Sequence, residues 1–428
     1  MTTTPVAPSG AAAATDLSDL DLFAQTTPWA AFDSLRRDEP VHFNPEQGGN
    51  KGFWSITRHA DIVNVSRDEE TFSSEVAAVN LEELDADQLE IRKSMLETDG
   101  ARHFALRRLL QRDFSARALA PYETFLRGLT ATTLDAALGK AKAEGGIDFV
   151  KEVSADFPIR VLVRLLGVPD DHAWQLIRWG NRMVGNTDPD EADVLLDSPE
   201  SEQYRNLPFR SPAALEVFAY GDELARQRRG GEGEDLVSKL VNRVPDDGIP
   251  LSERDFHNYF LLLVVAGNET TRHTITHSMK ALIDHPEAFA TLKERPELLP
   301  KAVEEFLRWA SPVYHFRRTA TKDVELHGRT IAAGDKVVMW WASGNRDDSV
   351  FEDPYRFDVT RDAREHMAFG KGGPHLCLGN QLARMEIRIM FEEILRRVDS
   401  AKELEPPKRV RSNFVNGFKE YWVQVQGS

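Results

Sequence analysis

The chain has a single cysteine, Cys377, among 428 residues. That excludes an intramolecular disulfide, and with it the disulfide-stapled class of secreted scaffold. A reducing compartment suits such a chain. It also lacks any run of the roughly 18 apolar residues that a membrane span requires. Basic side chains are in deficit: 53 Lys and Arg face 69 Asp and Glu, for a formal charge of -16. Nucleic acid is therefore not expected as a main partner, because phosphate binding needs a basic footprint. Residues 1–16 are rich in Thr, Pro and Ala but lack the basic start and apolar centre of a secretory signal. They read as a flexible leader, followed by one domain over 17–428 of a cytoplasmic protein. No internal repeat is visible.

What remains is ample for a large core, with 41% of residues hydrophobic. Val41–Phe43 and Phe53–Ile56 alternate as short strands around a Gly-rich turn, and a helix begins at Asp61. Residues 73–98 are polar with little period, which predicts a long loop and a short helix. From about 100 to 245 the pattern is helical. Its interruption at 185–212, rich in proline and acids, predicts a mobile connection. The longest helical run covers 252–285, opened by a Ser252/Asp255 capping box and closed by Pro286. Phe260–Val265 is apolar on every side, so this helix should be buried through its centre. A helix from Pro296 to Trp309 follows, and then short strands around a His327-Gly328 turn and over 336–341. After Cys377, the spacing of Leu378, Leu382, Met385 and Ile389 is helical. The last twenty residues read as strand. The fold class is mainly α with small β-sheets.

Cys377 lies in Phe369-Gly370-Lys371-Gly372-Gly373-Pro374-His375-Leu376-Cys377-Leu378-Gly379. Glycines let a large flat group approach the backbone. A following helix favours thiolate through its N-terminal dipole. Such a thiolate is a metal ligand or a nucleophile. Within the buried helix, Ala266-Gly267-Asn268-Glu269-Thr270-Thr271-Arg272 places polar groups and a glycine where they cost stability. This predicts a local distortion admitting water or a small ligand. Glu305 and Arg308 are spaced i, i+3, a common pattern by chance. His103 and Arg107 share a helix face, and with Arg318 and His375 they could neutralise two carboxylates of a bound cofactor. Haem carries two such groups, and Cys thiolate is a haem ligand.

Taken together, these motifs resemble those of the bacterial cytochromes P-450, the haem-thiolate monooxygenases. The match runs nearly the whole length, with four motifs in order: 266–270, Glu-x-x-Arg at 305–308, the basic residue at 318, and the cysteine loop at 369–379. One departure is an extra residue, Gly373-Pro374, between Phe369 and Cys377. An actinobacterial subset shares it and the Ala-Gly-Asn-Glu-Thr-Thr-Arg run; its members oxidise steroid side chains or methyl-branched lipids. The resemblance implies haem b between a long distal helix and the Cys-loop helix, with Cys377 as axial ligand. It implies propionate binding by His103, Arg107, Arg318 and His375, and proton delivery to dioxygen by Glu269 and Thr270. Glu305 and Arg308 correspond to a structural brace, and Leu262, Val265 and Ala266 to the substrate wall. The 73–98 and 185–212 segments correspond to the lid. Electrons would come from an iron–sulfur ferredoxin and its reductase, docking on Arg108, Arg112, Lys371, Arg384 and Arg388. The implied reaction is hydroxylation of a hydrophobic substrate, at a methyl of an isoprenoid, branched lipid or steroid side chain. The alternatives are a monoterpenoid or alkyl-aromatic hydroxylase, a peroxygenase, and a haem sensor without turnover.

Overall fold

The fold is organised by one helix, Glu253–Asp284, whose 32 residues rise about 48 Å. A computed structural model describes residues 16–46 and 50–427; the expected leader, apart from Asp16, and the tip of the first turn lie outside them. The long helix starts where the capping box predicts. Ser252 Oγ accepts from the Asp255 N–H at 3.0 Å, and Asp255 returns the bond to the Ser252 N–H at 2.9 Å. It stops at Asp284, and Pro286 opens the next helix, Pro286–Glu294. The helices packed around it include Asp156–Leu166, Ala173–Val184, Ala213–Arg228, Leu299–Ala310 and Asn380–Arg397. Burial on all sides explains its apolar centre: Phe260 and Val264 have no exposed surface.

The strands gather at one side. Val41–Asn44 pairs antiparallel with Phe53–Ile56, which runs parallel to Lys336–Trp340. His315–Ala320 and Phe72–Ser73 complete this five-stranded sheet. Behind it Trp340 is enclosed by Phe23, Phe32 and Phe53. The chain end, Trp422–Gly427, is the central strand of a smaller sheet between Ile147–Asp148 and Val398–Glu403. Two irregular segments reach the space beside the long helix. One carries the helix Ala86–Arg92 and the turn Met95–Glu97. The other, expected as a mobile connection, carries the turns Pro199–Tyr204 and Pro208–Arg210. The fold is thus mainly α with small sheets.

Candidate active site

The cysteine loop is closed by the Cys377 N–H, which donates to the Phe369 carbonyl at 2.9 Å. Gly370 and Gly372 take φ of 69° and 114°, a region that favours glycine. The extra loop residue is absorbed beside the helix His59–Arg67. A Cβ on Gly373 would lie 1.9 Å from the Ser66 carbonyl oxygen, so only glycine fits there. Arg67 Nε secures the neighbouring Gly372 carbonyl at 3.1 Å. The insertion therefore leaves His375 turned inward, its ring stacked on His103 at 4.0 Å.

Cys377 opens onto an internal cavity with about 1320 Å³ of atom-free space, part of it continuous with solvent. Protein surrounds it otherwise, and here one expectation is corrected. Burial pushes the thiol above its ordinary range. The Gly379 N–H and the charges of Arg107 and Arg384 pull the other way and are outweighed. The helix begins only at Asn380, too far on for its dipole to prevail in an apolar setting. Thiolate at this position calls for a cation at the sulfur, since a metal ion deprotonates its thiol ligand outright.

The same cavity is lined by His103, Arg107 and His375. His103 is fully buried, yet neither ring nitrogen has a hydrogen-bond partner among the described residues. Burial, then the charges of His375 and Arg107, lower its pKa to about 3, so its ring is neutral. Arg318, also buried, donates only to the Arg317 carbonyl, at 2.9 Å, and burial lowers its pKa to about 10. Neither Arg107 nor Arg318 has a carboxylate partner among the described residues. His375 alone has one, with Asp99 Oδ1 3.6 Å away. Buried donors without acceptors and cations without anions are costly. They fit a planar group that brings two carboxylates of its own, and a soft sulfur for its metal completes the fit to haem.

On the other wall, Leu262, Ala266 and Thr270 line both this cavity and a second one of about 1030 Å³. The second is walled mainly by apolar side chains, among them Val79, Leu89, Leu261, Val265, Phe209 and Phe414. The lid segments expected at 73–98 and 185–212 both contribute, the latter through Pro208 and Phe209. The predicted helix distortion is absent: the helix runs unbroken, and the hydroxyls of Thr270, Thr274 and Ser278 donate to carbonyls four residues back at 3.1, 2.8 and 2.6 Å. Gly267 serves packing instead, for its added Cβ would press on Leu162 at 3.2 Å. Glu269 is buried beside Arg272 Nη2 at 3.0 Å and His273 Nε2 at 3.3 Å. Burial raises its pKa, but the Arg272 charge and the His273 contact outweigh this and leave it lowered. No hydrogen bond joins Glu269 to Thr270 among the described residues. Arg272 reaches on to Asn181 Oδ1 at 2.7 Å. Reasoning from sequence missed Arg272 and His273, although their i+3 and i+4 spacing from Glu269 was the available signal.

Glu305 and Arg308 form a fully buried bidentate pair at 2.7 and 2.8 Å. Arg308 also donates to the carbonyls of Asn345 and Pro354, both at 2.8 Å, and Glu305 accepts from the Asp358 N–H at 3.0 Å. The link to the cysteine loop runs through two residues the sequence did not single out. Asn345 Oδ1 accepts from the Met367 N–H at 2.6 Å, and Glu304 holds His366 at 3.1 Å and Arg384 at 2.7 Å. The expected basic patch is mostly neutralised. Arg108 pairs with Asp246, Lys371 with Glu365, Arg384 with Glu304 and Arg388 with Glu392. Among the described residues Arg112 alone of the five has no ion pair.

The family model described as Cytochrome P450 matches residues 42–424. This chain belongs to the cytochrome P450 family. It is 38% identical to a linalool 8-monooxygenase of Pseudomonas putida, over 94% of this chain and 97% of that one. It is 36% identical to a steroid C26-monooxygenase of Mycolicibacterium smegmatis, over 96% and 94%. A solved Mycobacterium marinum cytochrome P450 in complex with pseudoionone superposes with a TM-score of 0.86 at 34% identity, covering 98% of this chain and 100% of that one. The P450 is a haem-thiolate monooxygenase that hydroxylates a hydrophobic substrate. No described helix is long and apolar enough to cross a membrane.

Proposed function

We propose that this P450 hydroxylates a terminal methyl of an isoprenoid, a methyl-branched lipid or a steroid side chain. One observation carries the reading: Ala266 and Thr270 stand at the wall shared by the apolar cavity and the cavity of Cys377. A substrate in the apolar cavity thus reaches the oxidant across a shared wall to which Leu262, Val313 and Phe316 also belong. Small Ala266 leaves room for a methyl there. Bound on a cysteine thiolate, haem supplies dioxygen activation and the insertion of one oxygen atom into a C–H bond, with the other leaving as water.

Cys377 holds the iron, and the Gly379 N–H directed at its sulfur tunes the thiolate. His103, Arg107, Arg318 and His375 hold the two carboxylates. The Thr270 hydroxyl, kept by its bond to the Ala266 carbonyl, holds a proton donor at the junction of the cavities. Glu269 supplies its replacement. Ionised and paired with Arg272, it must leave that pair to take up a proton, and Arg272 borders a third, polar cavity with Asn181, Glu191 and Lys419. Electrons come from an iron–sulfur ferredoxin in the cytoplasm, which docks near Arg112, the one cation of the proposed patch without an ion pair among the described residues. Arg112→Glu is expected to slow ferredoxin-driven turnover more than Arg108→Glu.

A monoterpenoid hydroxylase is the second reading, favoured by the similarity to the linalool enzyme. A ferric spectral titration against sterols, branched lipids, terpenes and alkyl-aromatics separates the two, with the oxidised carbon located by mass spectrometry. Tightest binding and turnover of a ten-carbon terpene would replace the first reading with the second. A reduced carbon monoxide band at the position of histidine-ligated haem would overturn both.

A further inference from the structure

Two cations lie close enough to Cys377 for their charge to favour its thiolate, Arg107 and Arg384. Arg107 borders the haem cavity itself. Arg384, on the helix Asn380–Arg397, lies outside it. Its guanidinium sits over the Phe369 ring, 4.6 Å from the centroid, and Phe369 lines the cavity. One aromatic ring thus stands between this charge and the iron's place, and the Phe369 carbonyl accepts the Cys377 N–H at 2.9 Å. A second contact runs along the helix end. Arg384 Nη1 donates to Asn380 Oδ1 at 3.0 Å, and Asn380 Nδ2 donates to the Cys377 carbonyl at 2.7 Å.

Glu304 fixes this charge and also subtracts from it. Arg384 Nε and Nη2 donate to its two carboxylate oxygens at 2.7 and 2.9 Å. The other donor is buried His366. Its Nδ1 accepts the Ala368 N–H at 3.1 Å, so the proton is on Nε2, which donates to Glu304 Oε2 at 3.1 Å. Burial lowers the pKa of this ring, which is therefore neutral. Burial raises the pKa of Glu304, but the bonds from His366 and Arg384 outweigh this and hold it at about 2. One ionised carboxylate thus faces one full positive charge. Arg384 keeps 31% of its side chain exposed, so solvent screens part of its field. Toward Phe369 the field crosses an aromatic ring and not water, and there it is screened less.

We propose that Arg384 is a positioning residue that raises the iron's reduction potential through the face of Phe369, and that Glu304 sets how far, by holding the guanidinium there and cancelling part of its charge. The inference rests on Cys377 as the iron's ligand and is independent of the substrate. Reduction adds an electron beside the thiolate. A fixed positive charge nearby favours the reduced form, and a negative one opposes it. The two partners of one ion pair therefore act on the iron with opposite sign. A brace that only held the loop in shape would need their bonds but not their charges. Breaking it from either side would loosen the same loop and move the potential in the same direction.

The test is a spectroelectrochemical titration of the substrate-free holoenzyme and four variants. Arg384→Met should shift the ferric–ferrous equilibrium toward ferric by about three- to ten-fold, roughly 30–60 mV for one electron. Glu304→Gln keeps an acceptor for His366 and Arg384 but removes the opposing charge, and should shift the equilibrium toward ferrous by about two-fold or more. The double variant, with no net change of charge, should fall between the two. Arg384→Lys keeps the charge without the bidentate bond and should stay within about two-fold of the parent. The proposal is overturned if Arg384→Met and Glu304→Gln shift the same way, if neither shifts by more than about 1.5-fold, or if Arg384→Lys shifts as far as Arg384→Met. Should Arg384→Met take up no haem, Glu304→Gln decides, and a potential at or below the parent's overturns the proposal. The reduced carbon monoxide band is recorded for each protein. A thiolate-type band with shifts of one sign brings down this inference alone. A parent band at the position of histidine-ligated haem brings down the ligand assignment and the inference with it.

Discussion

Removing one partner of the Glu305–Arg308 pair should cost more than removing both. Each side chain is wholly enclosed, so Arg308→Met strands a carboxylate and Glu305→Leu strands a guanidinium. Breaking a buried pair in this way costs about 4 kcal/mol. The Arg361 Nε, 3.4 Å from Glu305 Oε1, offsets part of the loss in Arg308→Met. A chain of 428 residues unfolds with roughly 0.9 kcal/mol/K of entropy, so each single variant should melt about 4–5 °C lower. The double variant replaces the pair with apolar volume. It still lacks the bonds to the carbonyls of Asn345 and Pro354, worth about 1 kcal/mol each. Its midpoint should therefore fall by only about 2–4 °C, where independent sites would give about 9 °C. Thermal unfolding by circular dichroism on all four proteins measures the coupling. The reduced carbon monoxide spectrum of each reports whether the cysteine loop follows, through Asn345 and Met367. A double variant that loses the sum of the singles would refute the pair as a coupled unit.

Thr270→Ala should keep haem and substrate binding while diverting electrons from product to peroxide, with Thr270→Ser largely restored; equal coupling in Thr270→Ala and parent, from oxygen, peroxide and product yields, would count against its proton-holding role. Gly373→Ala should cost about 1–3 kcal/mol, because its Cβ overlaps the Ser66 carbonyl and that backbone has to move; an unchanged melting midpoint would show that the loop has slack there. His315 is fully buried against Trp340 and Phe414, and burial lowers its pKa from 6.5 to about 3. The unfolded chain therefore binds a proton there that the folded one does not. Stability is full above pH 6.5 and falls as the pH drops toward 3, by up to about 1.4 kcal/mol per pH unit. His315→Phe should flatten this acid limb by one proton, as read from denaturant midpoints across that window.

The parts legible in the sequence are those set by local chemistry. The cysteine loop declares itself through glycines whose positive φ and close approach no other residue tolerates. The long helix declares itself through its capping box and an apolar stretch wider than one face. Pairing across the fold was not legible. Five basic residues near the cysteine side suggested a free patch, but a charge count cannot see that Glu304 and Asp246 reach Arg384 and Arg108 from distant parts of the chain. Gly267 and the threonines after it suggested an opened helix. The glycine answers instead to Leu162 on a helix a hundred residues earlier, and the hydroxyls satisfy their own backbone. The thiol shows the same limit from the other side. A helix end predicts thiolate, burial predicts thiol, and only the enclosed cavity says that burial wins until a cation arrives. The protein itself thus holds Cys377 closer to neutral than its motif suggests. A metal bound at that sulfur would supply the charge that favours thiolate, which the helix end alone does not.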